Sequence, residues 1–182
     1  MVENELKKGD VSSVIIEGIQ GVGGLDEGTT KFFQALEKIC DQYNVVLILD
    51  EVQSGYGRSG KFFAHQYHGI KPDIICLAKG MGNGFPIGGI MISPKFTASY
   101  GLLGTTFGGS HLACAAGIAV LDVIENQKLM DNVNEVYAYF IEAIKQVPEV
   151  IKVKGKGLML GIEFSFDVSA LRKKMIVDKH IF

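Results

Sequence analysis

The chain opens on a charged stretch, Met1–Lys8, then alternates short apolar runs with segments of helical periodicity. Val11–Gly18 reads as a buried strand centred on Val14, Ile15 and Ile16. Thr30–Tyr43 places Phe32, Phe33, Leu36, Ile39 and Cys40 on one helical stripe. Val45–Asp50 is a continuous apolar strand that ends on an acid. Phe62–His68 reads as a short helix, and Asp73–Lys79 and Gly89–Ser93 as two further strands. Continuous apolar strands separated by helices predict an α/β fold, with a mostly parallel sheet covered on both faces. The pattern changes after Gly109. His111–Asn126 and Leu129–Val147 have helical periodicity. Val150–Lys154 and Leu158–Phe164 read as strands joined by a Gly155–Lys156–Gly157 turn, and Val168–His180 as a last helix. This α+β pattern divides the chain into residues 1–109 and a smaller unit, 110–182, entered through a linking helix.

Composition narrows the classes. The 182 residues carry a net charge of -2 and are 47% hydrophobic and 21% charged, which excludes a disordered chain. The balanced charge argues against a dedicated nucleic-acid binder. Apolar runs such as Val45–Leu49 and Ile74–Ala78 are too short to span a bilayer, and Met1–Lys8 lacks the apolar region of a signal peptide. Cys40, Cys76 and Cys114 are scattered and form no Cys-x-x-Cys pair, which fits a reducing cytosol. The 23 glycines are in excess, and most fall in four clusters, Gly18–Gly28, Gly55–Gly60, Gly80–Gly89 and Gly101–Gly109, each beside a strand end or candidate contact.

Two motifs in the second cluster are weak. Gly55-x-Gly57-x-x-Gly60 matches a dinucleotide fingerprint, but its glycines begin five residues after the strand-ending Asp50. Gly55–Lys61 approaches a P-loop, yet Phe62 stands where a Ser or Thr must bind Mg²⁺. A loop positioned by glycines is the better reading. His65 and His68 lack acidic or cysteine co-ligands and read as surface or packing residues; no metal site is expected.

The chemistry-bearing pair is Asp50 and Lys79, each at the carboxyl end of an apolar strand, where open α/β sheets bind ligands. They lie one βαβ unit apart. A lysine at an apolar strand end is easily desolvated, which favours the neutral amine that Schiff-base chemistry requires. An acid paired with such a lysine suggests pyridoxal phosphate (PLP), whose ring nitrogen a carboxylate keeps protonated.

At these residues the sequence resembles the class III (subgroup II) PLP-dependent aminotransferases of fold type I, closest to the acetylornithine and N-succinylornithine aminotransferases. The resemblance rests on Glu17-Gly-Ile-Gln-Gly-Val-Gly-Gly24, Leu49-Asp-Glu-Val-Gln-Ser-Gly-Tyr-Gly-Arg-Ser-Gly60, Pro72-Asp-Ile-Ile-Cys-Leu-Ala-Lys-Gly-Met-Gly-Asn-Gly-Phe-Pro86 and Gly104-Thr-Thr-Phe-Gly-Gly109. It implies part of a large PLP-binding domain over 1–109 and part of a C-terminal domain over 110–182. It also implies site roles: Asp50 on the pyridine nitrogen, Val52 on the ring face, Gln53 on the phenolic oxygen, Lys79 as the covalent and proton-shuttling lysine, and Thr106 on the cofactor phosphate of a neighbouring subunit. A cytoplasmic homodimer follows, transferring the δ-amino group of an acylated ornithine to 2-oxoglutarate in arginine biosynthesis. Ornithine or 4-aminobutyrate-type transamination is the alternative, as is an incompetent piece acting only by association.

Val22 stands where many family members carry a Glu that helps switch substrates. Phe107 replaces a frequent Tyr, and Ser110-His111 a frequent Asn-Pro. Family members are about twice this length. Their phosphate loop, ring-stacking aromatic and substrate arginines have no counterpart here, so the sequence is expected to be a fragment.

Overall fold

A computed structural model describes residues 1–181. The chain forms α1 (Val2–Leu6), β1 (Ser13–Glu17), α2 (Thr30–Gln42), β2 (Val46–Asp50), β3 (Ile74–Leu77), β4 (Gly89–Ile92), α3 (His111–Asn126), α4 (Leu129–Ile144), β5 (Val150–Lys156), β6 (Met159–Phe164) and α5 (Ser169–Lys179). The first four strands make one sheet in the order β1-β2-β3-β4. β1, β2 and β3 are parallel, and β4 returns antiparallel. β5 and β6 form a separate antiparallel hairpin. The helix expected over 62–68 is a single 3₁₀ turn, Ala64–Tyr67. The hairpin turn is Gly157–Leu158 rather than Gly155–Gly157, because Gly155 and Lys156 still pair with Leu160 and Met159.

The best-formed helix shows why its ends fall where they do. Thr29 Oγ1 accepts from the Phe32 N–H at 3.2 Å and caps α2. Asn44, at φ 53°, closes the other end with bonds from Asn44 N–H to the Asp41 carbonyl and from Val45 N–H to the Cys40 carbonyl. Between the caps, Phe33, Leu36 and Cys40 turn inward on Leu47 and Leu49 of β2.

Only one face of the sheet is covered, against the expectation of two. Two parallel crossovers, β1 to β2 and β2 to β3, step the same way across the sheet. Right-handed crossovers that do so lie on the same side. The covered side holds Leu47, Leu49, Ile75 and Leu77; the other carries Ile15, Ile90 and Ile92, all exposed. The accessible surface totals 12275 Å², whereas a folded monomer of this mass exposes about 8,600 Å². The excess reflects the bare sheet face and the exposed segment 93–112.

The connection from β2 to β3 is folded on a buried carboxylate. Glu51 has no exposed surface. Its oxygens accept from Ser54 Oγ (2.6 Å), Ala64 N–H (3.0 Å) and His65 N–H (2.9 Å), and its Oε1 lies 2.8 Å from His65 Nδ1. Burial opposes its ionisation, but the His65, Ser54 and backbone hydrogen bonds together outweigh it and hold its pKa below the usual range. His68 stacks on Phe33 at 4.3 Å, with Thr30 Oγ1 3.2 Å from its Nδ1. Both histidines are buried, but the expectation of no acid beside them fails at His65, which lies against the Glu51 carboxylate.

Two predictions follow from this packing. Burial lowers the His68 pKa, so the unfolded chain takes up a proton there before the folded chain does. Stability should therefore fall as pH drops below about 6.5, and His68→Phe should flatten that dependence in denaturant midpoints measured between pH 7 and 5. Glu51→Ala leaves several buried donors without an acceptor and should destabilise the fold by about 3–5 kcal/mol in urea unfolding, whereas Glu51→Gln should cost less.

Candidate active site

β2 and β3 lie side by side with Asp50 in register with Cys76, so the two strands open at the same edge of the sheet. β2 ends at Asp50, whose Oδ1 accepts from the Val52 N–H at 2.9 Å. That bond turns the chain sharply and carries Gln53 out beyond the strand ends. β3 ends at Leu77, two residues earlier than expected. Lys79 begins a 3₁₀ turn, Lys79–Met81, at φ 42°, a left-handed conformation that a non-glycine residue seldom takes. The turn aims its amine back at the β2 loop: Lys79 Nζ donates to Gln53 Oε1 at 3.2 Å.

Gln53 and Lys79 share the rim of a cleft of about 840 Å³, walled by Val120, Val123 and Ile124 of α3 and Leu129 and Val133 of α4. This volume suits a small-molecule site, with apolar walls and a few convergent polar groups. Lys79 is exposed, so this chain does not supply the desolvation expected of a lysine at an apolar strand end. The reason is geometric: the left-handed turn lifts the side chain off the strand to the open rim of the cleft. Thr106 is exposed, within a segment of neither helix nor strand, and does not line the cleft. Burial and then the negative charge of Asp50 push the Cys76 thiol pKa up.

Gly55–Gly60 forms no strand-to-helix turn of the dinucleotide or P-loop kind. It is a tight run of turns with Gly55, Gly57, Ser59 and Gly60 buried, packed under the hairpin tip rather than a loose loop. Leu158 N–H donates to the Arg58 carbonyl (2.9 Å) and Asn134 Nδ2 to the Gly60 carbonyl (3.1 Å). At Gly157 a Cβ would lie 2.4 Å from the Ser59 backbone carbon, so only glycine permits this contact. Glu51 and His65 were not distinguishable in the sequence. An acid following an acid carries no signal of burial, and apart from Ser54 its partners lie thirteen and fourteen residues away. Among the described residues no three metal-ligating side chains come together.

The donor set suits the group implied by the resemblance. An accessible primary amine can take an aldehyde, an amide can meet a phenolic oxygen beside it, and a carboxylate at the neighbouring strand end can face a basic ring nitrogen. Those are the recognition points of PLP.

Comparison with known proteins agrees. Residues 1–180 match the family described as Aminotransferase class-III. The acetylornithine aminotransferase of Aquifex aeolicus is 44% identical over 176 residues, covering 93% of this chain and 46% of its own length. That of Methanocaldococcus jannaschii is 41% identical over 171 residues, 91% of this chain and 43% of its own. Among solved structures, N-acetylornithine aminotransferase from Stenotrophomonas maltophilia superposes with a TM-score of 0.79 at 32% identity, over 96% of this chain and 47% of its own. Ornithine aminotransferase from Toxoplasma gondii, described with partial occupancy of PLP at its active site, gives 0.83 at 32%, over 93% and 41%. The chain spans a little under half the length of these relatives. With its α/β sheet, its strand-end lysine and a match over nearly its whole length, the chain belongs to the class-III aminotransferases.

Proposed function

We propose that this chain supplies the lysine side of a PLP site in an aminotransferase that moves the terminal amino group of an N-acylated ornithine to 2-oxoglutarate, giving a semialdehyde and glutamate. The observation that carries the reading is the Lys79 amine held 3.2 Å from the Gln53 amide oxygen, beyond the strand that ends on Asp50. The acetylornithine aminotransferases among the relatives support the acylated donor. The ornithine aminotransferases among the structural neighbours keep ornithine itself as the second reading. Val22, fully exposed where many family members carry a substrate-switching Glu, does not choose between the two.

PLP, when bound, withdraws electrons from the substrate carbon as its C–H bond breaks. The residues of this chain hold and steer that chemistry. Lys79 would hold the cofactor through its amine and move a proton to and from the reacting carbon. Gln53 donates its amide N–H to the phenolic oxygen while its carbonyl orients the lysine. Asp50 keeps the ring nitrogen protonated by charge. Val52 closes one face of the ring. Thr106 lies apart from these residues, consistent with a role on the phosphate of a second subunit in a homodimer. Residues 1–109 form the cofactor-binding unit and 110–182 a linking helix and smaller unit. The three free cysteines fit a reducing cytoplasm, and no helix among the described residues is long and apolar enough to cross a membrane.

With Lys79 exposed and one sheet face bare, the isolated chain is expected to hold PLP weakly and to transaminate poorly. Robust turnover of acetylornithine with 2-oxoglutarate by the purified 182 residues would overturn this. In the assembled enzyme, Lys79→Ala should abolish borohydride-trapped PLP, read by peptide mass spectrometry, and cut turnover by roughly 10²–10⁴-fold. Asp50→Ala should retain trapping but slow turnover roughly 10²–10³-fold. A panel of acetylornithine, succinylornithine, ornithine and 4-aminobutyrate then identifies the donor; the highest kcat/KM is expected for an acylated ornithine.

A further inference from the structure

Gly21 lies in the turn after β1, and its neighbour across space is Gln53. A Cβ built on Gly21 would lie 2.4 Å from Gln53 Oε1, 2.9 Å from its Cδ and 3.2 Å from its Nε2. The nearest of them, Oε1, is the atom that accepts from Lys79. Gly21 is absent from the positive-φ residues of the chain, so its backbone does not require glycine. The missing side chain matters only as space, and that space is filled by the amide of Gln53.

The turn itself cannot retreat. Glu17 Oε2 accepts from the Gly21 N–H at 3.2 Å. Gln20 N–H donates to the Asp26 carbonyl at 2.9 Å, and Leu25 N–H to the Gln20 carbonyl at 3.0 Å. The hairpin braces the far side of the turn. Lys154 Nζ lies 2.9 Å from Asp26 Oδ1, Lys156 Nζ 2.7 Å from Glu27 Oε1, and Met159 packs into a cluster with Ile19 and Ala64. The backbone at Gly21 is therefore held from both sides. Gln53, by contrast, is exposed and reaches Gly21 through the end of a flexible side chain. When the two compete for volume, the amide yields.

We infer that Gly21 is a positioning residue for the site: its lack of a side chain holds the Gln53 amide against Lys79, and any side chain there disengages it. This inference rests on the proposed PLP site but makes a separable claim, that Gly21 acts through Gln53 alone.

The test is a double-mutant cycle in the assembled enzyme, with Gly21→Ala, Gln53→Ala and the pair. Gly21→Ala should leave the thermal midpoint within about 2 °C, since an unstrained Gly→Ala change is close to neutral. In a crystal structure of the cofactor-free variant, Lys79 Nζ and Gln53 Oε1 should lie beyond hydrogen-bond distance. With PLP bound, Gly21→Ala should displace the pH profile of the visible absorbance in the same direction as Gln53→Ala and lower kcat/KM about tenfold. Adding Gly21→Ala to Gln53→Ala should change neither further. Additive losses, or an unmoved Gln53 in the structure, would overturn the inference while leaving the PLP reading intact. Absence of any borohydride-trapped PLP on Lys79 in the wild type would instead overturn the reading beneath it.

Discussion

A carboxylate with no access to water sits one residue past the end of the central strand, and the site depends on it. Glu51 cannot be buried alone, because the desolvation of an ionised acid is offset only by a full set of donors. Ser54, two backbone N–H groups and the His65 ring provide them. Because those donors come from both ends of the Glu51–His65 stretch, satisfying one charge closes the first part of the connection between β2 and β3. Asp50 and Gln53 lie on either side of that anchor. Their positions at the strand edge follow from how Glu51 is satisfied.

The second determinant is the direction of the crossovers. Two right-handed connections that step the same way place α2 and the Glu51 loop on one side of the sheet. That side acquires a core of Phe33, Leu36, Leu47 and Leu49, and the other acquires nothing from this chain. The bare face is a consequence of that topology.

The hairpin ties the two halves of the chain together at close range. Its tip rests on the Arg58–Gly60 backbone, and its edges hold Asp26 and Glu27, flanking the turn that carries Gly21. Exposed ion pairs such as these add little stability. They set the register of the turn, and the turn backs the glutamine that meets the lysine. Residues far along the chain thus contribute to the site without touching it.

Much of this was legible in the sequence. Apolar runs of four to six residues ending on Asp50 and just before Lys79 announced parallel strands and their functional edge, because buried strands are written as unbroken hydrophobic stretches and polar groups survive only where they end. The helical stripe over Phe33, Leu36 and Cys40 was equally plain, since its period is local. The order of motifs around Asp50, Gln53, Lys79 and Thr106 pointed to the family. Tertiary structure decided the rest. Which sheet face is covered depends on the hand and direction of crossovers, which no residue pattern encodes. The burial of Glu51, the left-handed turn at Lys79 and the space Gly21 leaves for Gln53 arise from contacts between residues distant along the chain. Sequence determined the elements and the chemistry they carry; folding in three dimensions determined how those groups face one another, because proximity between distant residues is a property of packing alone.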